Sequence, residues 1–247
     1  MIPSRRGMAL PLLIVATLSV SAQSMRVVTE QFPPFSFQRE GVVGGIAVEV
    51  MQAVLSDAEI SSSIEVLPWW RAYRLARSRR GVLFFSVGRT PEREGHFQWI
   101  GPLVPYSVAL YAGPQVALPP VSRLLDVAHL RMGVVEGDLR DQHLSRSGVF
   151  NLIRFSSSEN LLQALYQGEV DVAPIAELNV PYFLEFLNLD PEKLRKVYDA
   201  PELSHHGLYL VTGVQTDEHL VQRVRESLLR VQGSGLVEEL LERYTER

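Results

Sequence analysis

Cysteine is absent from the 247-residue chain, which excludes disulfides and a lipid-modified amino-terminal cysteine. A fold without staples must rest on its core, and a chain of this length can bury a sizeable one. Excess positive charge is absent too: 24 Lys and Arg face 28 Asp and Glu, a formal −4 that excludes nucleic acid as a partner. After the first apolar run, no second stretch of membrane-spanning length follows. The six histidines show no HExxH or other metal-ligand spacing, and Gly-x-Ser-x-Gly does not occur. Repeats, low-complexity tracts and long charge blocks are missing as well. No metal, no cofactor and no local catalytic signature are expected.

What is present begins with a leader. Arg5 and Arg6 precede an uncharged apolar run from Met8 to Val20, and Val20-Ser21-Ala22 offers the small residues of a cleavage point. Residues 1–22 therefore read as a secretory signal peptide, too short for a spanning anchor. Its loss takes the basic count from 24 to 22 against 28 acids, a formal −6. The mature protein is expected to be soluble and outside the cytoplasm.

Beyond the leader, short apolar runs alternate with helical patterns. Expected strands are 26–29, 63–67, 82–87, 107–112, 131–135, 151–155, 170–175 and 208–212. Ile46, Val50, Ala53 and Val54 share one helical face, as do Trp69, Ala72, Tyr73 and Ala76. Ser156 and Glu159 fit a capping box ahead of Leu161, Leu162 and Leu165, and Gly168 ends that helix. Strand and helix alternate, so the class is α/β. Breaks at Gly113-Pro114 to Pro119-Pro120 and at Pro201 to Gly207 divide the pattern in two. They predict a discontinuous first lobe, 23–112 plus 208–247, and an inserted second lobe, 113–207, joined by strands near Leu110 and Leu208 with a cleft between them.

The segment FFSVGRTPEREGHFQWIG, from Phe84 to Gly101, outlines a carboxylate trap. An arginine fixed just past a buried strand presents a planar fork of donors that matches a carboxylate in two parallel hydrogen bonds. Thr90 can cap the following turn, and Pro91 suits its first helical position. The competing reading of Arg93 is a surface bridge to a neighbouring acid such as Glu94.

In order along the chain stand Phe32-Pro33-Pro34-Phe35, Gly44-Gly45-Ile46, Pro68-Trp69-Trp70-Arg71-Ala72, Ser86 to Arg93, Gly133-Val134-Val135-Glu136-Gly137, Leu165 to Asp171, and the tail Leu220 to Tyr244 with Gly235. Together they make the chain resemble the bacterial periplasmic solute-binding proteins of family 3, the amino-acid-type binding components of ABC importers. The resemblance implies an α/β, two-lobed periplasmic-binding-protein-like (type II) fold with a central cleft. It also implies a periplasmic monomer that captures a small polar, carboxylate-bearing solute for an inner-membrane ABC permease or a membrane sensor. Carried onto this sequence, Phe32 and Trp69 or Trp70 wall the first-lobe side, with one tryptophan facing the cleft and the other the core. Ser86 and Arg93 bind an acid group, and the Gly137 turn contributes backbone donors.

Departures bear on the ligand. Asp138 stands where a small hydroxyl residue is usual; it either repels a carboxylate or caps a helix. Where an acid commonly meets the ligand's amino group, the chain has Ala176 beside Glu177. Enzymes occur on the same scaffold, cyclohexadienyl dehydratases among them, and Glu30, Glu136 and Glu177 are the acids such chemistry would recruit. A stand-alone sensing module is the remaining alternative.

Overall fold

The computed structural model describes residues 25–148 and 150–245, the side chains of His205 and His206 excepted. Residues 1–22, expected to be a signal peptide, lie outside the described residues. In chain order the elements are β1 (Arg26–Thr29), the hairpin β2 (Phe37–Arg39) and β3 (Val42–Gly44), α1 (Ile46–Asp57), β4 (Ile64–Val66), α2 (Trp69–Ser78), β5 (Val82–Gly88) and β6 (Phe97–Tyr106). There follow β7 (Val108–Ala112), β8 (Arg131–Val135), α3 (Leu139–Ser147), β9 (Asn151–Phe155), α4 (Ser158–Gln167), β10 (Val172–Ala176), α5 (Asn179–Phe186) and β11 (Arg195–Asp199). The chain closes with β12 (His205–Gly213), α6 (Glu218–Gln232) and α7 (Leu236–Thr245).

Two five-stranded sheets result, in the orders β4-β1-β5-β12-β6 and β11-β7-β10-β8-β9. In the first, β1 runs parallel to β4 and β5, while β12 returns antiparallel between β5 and β6. In the second, β8 runs parallel to β9 and β10, with β7 antiparallel to β10 and β11. The change of sheet falls at Ser107, so Val108–Ala112, expected in the first lobe, pairs inside the second sheet. Gly113-Pro114 ends β7 and does not mark the crossing. The return is complete by His205, three residues ahead of the expected Leu208.

Helix faces follow the predicted periodicity. Ile46, Val50 and Val54 of α1 are fully buried, as are Ala72 and Ala76 of α2. Gly45, just before α1, has φ +120°, and a Cβ there would meet the Phe35 carbonyl oxygen at 2.5 Å. Only glycine lets the chain turn into the helix so close to that backbone. The tail docks on α1, where Tyr244 Oη donates to Glu49 at 2.8 Å and Arg230 pairs with Asp57 at 2.7 Å. In α4 the cap is Ser157, one residue later than expected: its Oγ accepts from the Asn160 N–H, while Ser156 Oγ takes the Asn160 side-chain amide. Gly168 ends the helix in the left-handed region, φ +78°, as its position implies. Among the described residues no helix is long and apolar enough to cross a membrane.

Candidate functional site

A cavity of about 770 Å³ opens between the sheets. The loop after β1, the start of α2 and the end of β5 form one wall; the β8–α3 turn, the Ser156–Glu159 turn and α5 form the other.

β5 is buried along its whole length and brings Ser86 and Gly88 to the first wall. The chain then reverses in a tight turn, the Arg93 N–H donating to the Thr90 carbonyl at 3.0 Å, and continues as a 3-10 turn over Glu94–His96. That reversal folds Arg93 back onto the strand end. Its Nη1 donates to the Gly88 carbonyl at 3.0 Å, and its guanidinium lies 4.6 Å from the centre of the Trp69 ring. Glu94 is taken by Arg89, so among the described residues Arg93 has no ion-pair partner. Burial draws Arg93 below the ordinary arginine value, opposed by Tyr73, Glu30 and Glu92. Burial also raises the nearby Glu30 carboxyl to about 7, with the Arg93 charge resisting the rise.

Ser86 holds φ +65°, a left-handed conformation that costs a non-glycine residue on the order of 1–3 kcal/mol. A buried hydroxyl cluster supports it: Ser36 Oγ lies 3.3 Å from Ser86 Oγ and 3.0 Å from Thr29 Oγ1, and donates to the Glu30 carbonyl at 2.9 Å. Phe32 joins the same wall, its ring 5.1 Å from Phe35 and 6.2 Å from Tyr106.

The second wall satisfies its own charges. Asp138 caps α3, accepting from the backbone N–H of Arg140 at 2.8 Å and of Asp141 at 2.9 Å. Its other oxygen accepts from Arg140 Nε at 2.8 Å and from Arg140 Nη2. Burial opposes the Arg140 charge, yet Tyr106 and Asp138 hold that guanidinium above its usual value. The Gly137 N–H donates to Asp141 at 2.9 Å, and Asp141 is held in turn by Arg154 and Ser145. Against the cost of burial, those three donors keep the Asp141 carboxyl below its usual range.

Contacts cross the cleft in two groups. Glu92 pairs with Arg146 at 2.9 Å, close to where Leu139 abuts Gly88 so tightly that a Cβ on Gly88 would lie 2.6 Å from it. In the other group Asn179 Nδ2 donates to the Pro33 carbonyl at 3.1 Å, Phe37 meets Tyr182 with ring centres 5.8 Å apart, and Arg39 lies over Phe186 at 5.2 Å. The buried Asn179 Oδ1 has no hydrogen-bond partner among the described residues.

The structure thus brings Phe32, Trp69, Ser86, Arg93, Gly137 and Asp138 to one cavity. Trp70 is excluded: it is 59% exposed on the outer side of α2, facing neither cleft nor core, because adjacent helical residues diverge by about 100°. Gly137 does not offer its backbone donor, which Asp141 has taken. Asp138 is the helix cap. Glu30 and Glu136 line the cavity, whereas Glu177 pairs with Lys196 away from it. Sequence reasoning missed Arg140, Tyr106, Asn179 and the Phe37–Tyr182 contact; for Arg140 the one available signal was a basic residue two positions after a capping aspartate. No cluster of three or more metal-ligating side chains occurs among the described residues.

The family model of the bacterial extracellular solute-binding proteins, family 3, matches residues 25–247. The chain belongs to that family. No curated protein matches the chain. Among solved structures, a histidine kinase sensor domain with similarity to periplasmic binding proteins shares 18% identity over 89% of this chain and 95% of its own, with a TM-score of 0.72. An ancestral arginine-binding protein bound to arginine shares 17% over 89% and 97%, TM-score 0.71. The arginine-, lysine-, histidine-binding protein ArtJ from Geobacillus stearothermophilus shares 18% over 90% and 96%, TM-score 0.70. At such identities the likeness establishes the periplasmic-binding-protein fold, α/β with two sheets, for this family member, and nothing finer.

Proposed function

We propose that this family 3 protein is a periplasmic two-lobed clamp that captures one small, amino-acid-like solute by its carboxylate. The lobes would be 25–106 with 205–245, and 108–199, hinged at the two sheet crossings. A single observation carries the reading: Arg93 is a half-buried guanidinium on the cavity wall, held in place by Trp69 and the Gly88 carbonyl, with no carboxylate at ion-pair distance among the described residues. A ligand carboxylate supplies that partner in bidentate geometry. The β8–α3 turn does not share the task, since Asp138 and Asp141 already occupy its N–H donors. The acceptor that the second wall leaves without a partner among the described residues is Asn179 Oδ1, which a donor group on the same solute would complete.

Thermal shift against standard amino acids, small mono- and dicarboxylates and cationic solutes tests this. Ligand at a hundred times its Kd adds about 2.7 kcal/mol, a shift of several degrees for a chain of this size. Against the strongest hit, Arg93→Ala should lose about 2–5 kcal/mol by calorimetry, with Arg93→Lys recovering little. Unchanged affinity in Arg93→Ala would remove the anchor.

A second reading, a dehydratase-like enzyme, has one observation in its favour: Glu30, a cavity carboxyl raised to about 7 beside Arg93. It predicts conversion of the hit at turnover, whereas a binding protein returns it unchanged. Whether the clamp serves an importer or a sensor depends on its membrane partner, and likeness to a histidine kinase sensor domain keeps the sensor in view.

A further inference from the structure

α2 has an outer face unconnected with the cleft. Ala72 and Ala76 are buried and Trp69 and Tyr73 pack beside them, while Trp70, Arg71, Arg74 and Arg77, with Arg79 and Arg80 just past the helix end, are exposed. The Arg74 guanidinium lies 4.8 Å from the centre of the Trp70 ring. None of these five arginines has a carboxylate within ion-pair distance among the described residues. The acid nearest in charge to Arg71 is Glu65, and Arg26 already holds it through two hydrogen bonds. Many surface arginines elsewhere do pair: Arg131 with Asp171, Arg154 with Asp141, Arg230 with Asp57, Arg243 with Glu49. No Asp or Glu occurs between Glu65 and Glu92, and 22 of the 24 basic residues are arginines.

The chain as a whole is negative, but salt confines that field to about 8 Å. Along α2 Arg71, Arg74 and Arg77 rise only about 4.5 Å from one to the next, inside that length, and Arg79 and Arg80 follow directly, so the five guanidinium groups act together as one positive plate. We propose that this face of α2 docks on an anionic phospholipid surface, the arginines at the phosphates and the Trp70 indole among the headgroups. Guanidinium matches phosphate oxygens bidentately, and tryptophan favours the membrane–water boundary. The five charges are spread around the exposed side of the helix and beyond its end, which suits an extended field of phosphates better than a few acids on a protein. The apolar side of α2 is committed to the first sheet, so the contact is peripheral adsorption and sensitive to salt. Each arginine near such a surface strengthens binding roughly fivefold.

Co-sedimentation of the purified protein with vesicles tests the proposal. Vesicles of equal phosphatidylglycerol and phosphatidylcholine in low salt should pellet it at least tenfold better than phosphatidylcholine alone, and raising the salt to several hundred millimolar should abolish the difference. Arg74→Ser, Arg77→Ser and Arg80→Ser together should lose most of the binding. A control with Arg123→Ser, Arg223→Ser and Arg230→Ser changes net charge equally and should keep it; unchanged circular dichroism in both verifies folding. Trp70→Ser should weaken binding a few-fold. Absence of pelleting on anionic vesicles, or equal loss in the two triple variants, overturns the proposal, and neither result bears on solute binding in the cleft.

Discussion

On the β5 side of the cleft, Arg93 has a ring and a carbonyl but no ion-pair partner among the described residues, and burial raises the nearby Glu30 carboxyl to about 7. On the α3 side, Asp138, Arg140, Asp141 and Arg154 satisfy one another. Both walls carry buried charge, and the difference lies in what completes it. A group completed by its own chain contributes to the fold, whereas one left incomplete in a shielded cavity is poised for something arriving from outside. Identical residue types therefore take opposite roles, and partners decide which.

Breaking the α3 wall should have the largest effect on stability. Arg140→Ala strands the Asp138 carboxylate in a pair whose side chains are only 7% and 21% exposed, and should cost about 3–5 kcal/mol. For a chain of this size that is a fall in Tm on the order of 10 °C, measurable by calorimetry. Arg93→Ala, by contrast, should leave Tm nearly unchanged while removing affinity. Equal destabilisation by the two variants would erase the contrast between the walls.

Glu30 sharpens the comparison through pH. Its folded value, about 7, lies above the unfolded one, so the native state binds an extra proton between roughly pH 4.5 and 7. Stability should decline as pH rises through that window and stay lower above it, by about 1.4 kcal/mol per unit crossed. Glu30→Gln should flatten the profile of Tm against pH. Binding of an anionic solute should weaken from pH 6 to pH 8 as Glu30 ionises beside it, and the variant should lose that dependence too. A wild-type profile as flat as the variant's would place Glu30 in ordinary solvent.

The smallest effect is expected at the rim. Glu92 and Arg146 are 56% and 63% exposed, so a double-mutant cycle of Glu92→Ala with Arg146→Ala should report a coupling below about 1 kcal/mol, fading with salt. A larger value would make the rim, and not the ligand, the main closing force.

Much of the fold was readable in the sequence. The strands at 26–29 and 131–135 fall on their predicted bounds because their apolar runs are mostly buried, and the less buried 151–155 does so beside the second of them. The misses share a cause. β6 contains Gly101, Pro102 and Pro105, which break the apolar pattern, yet it lies at the edge of its sheet, where a missing N–H is tolerated. β11 is a charged edge strand, and β2–β3 is a short two-stranded hairpin; neither presents a run of core residues. In the cleft, Arg93 and Ser86 could be found because the strand before them is unmistakable. Arg140 and Asn179 could not, since their roles depend on residues far away in sequence: Pro174 and Tyr106 around the first, Pro33 across the cleft from the second.

Gly88 bears on time as well as space. A Cβ there would come within 2.6 Å of the Leu139 methyl, so in the clamp proposed above this position governs how closely the two walls can meet. The rate at which a captured solute escapes depends on how well the closed jaws seal, and most tuning of affinity between related complexes is tuning of that rate. A methyl at Gly88 asks only for a rotation of Leu139, while a valine wedges the jaws apart. If the protein is such a clamp, residue 88 is a dwell-time setting: arrival is untouched, and release quickens once the added side chain is too large for Leu139 to turn aside.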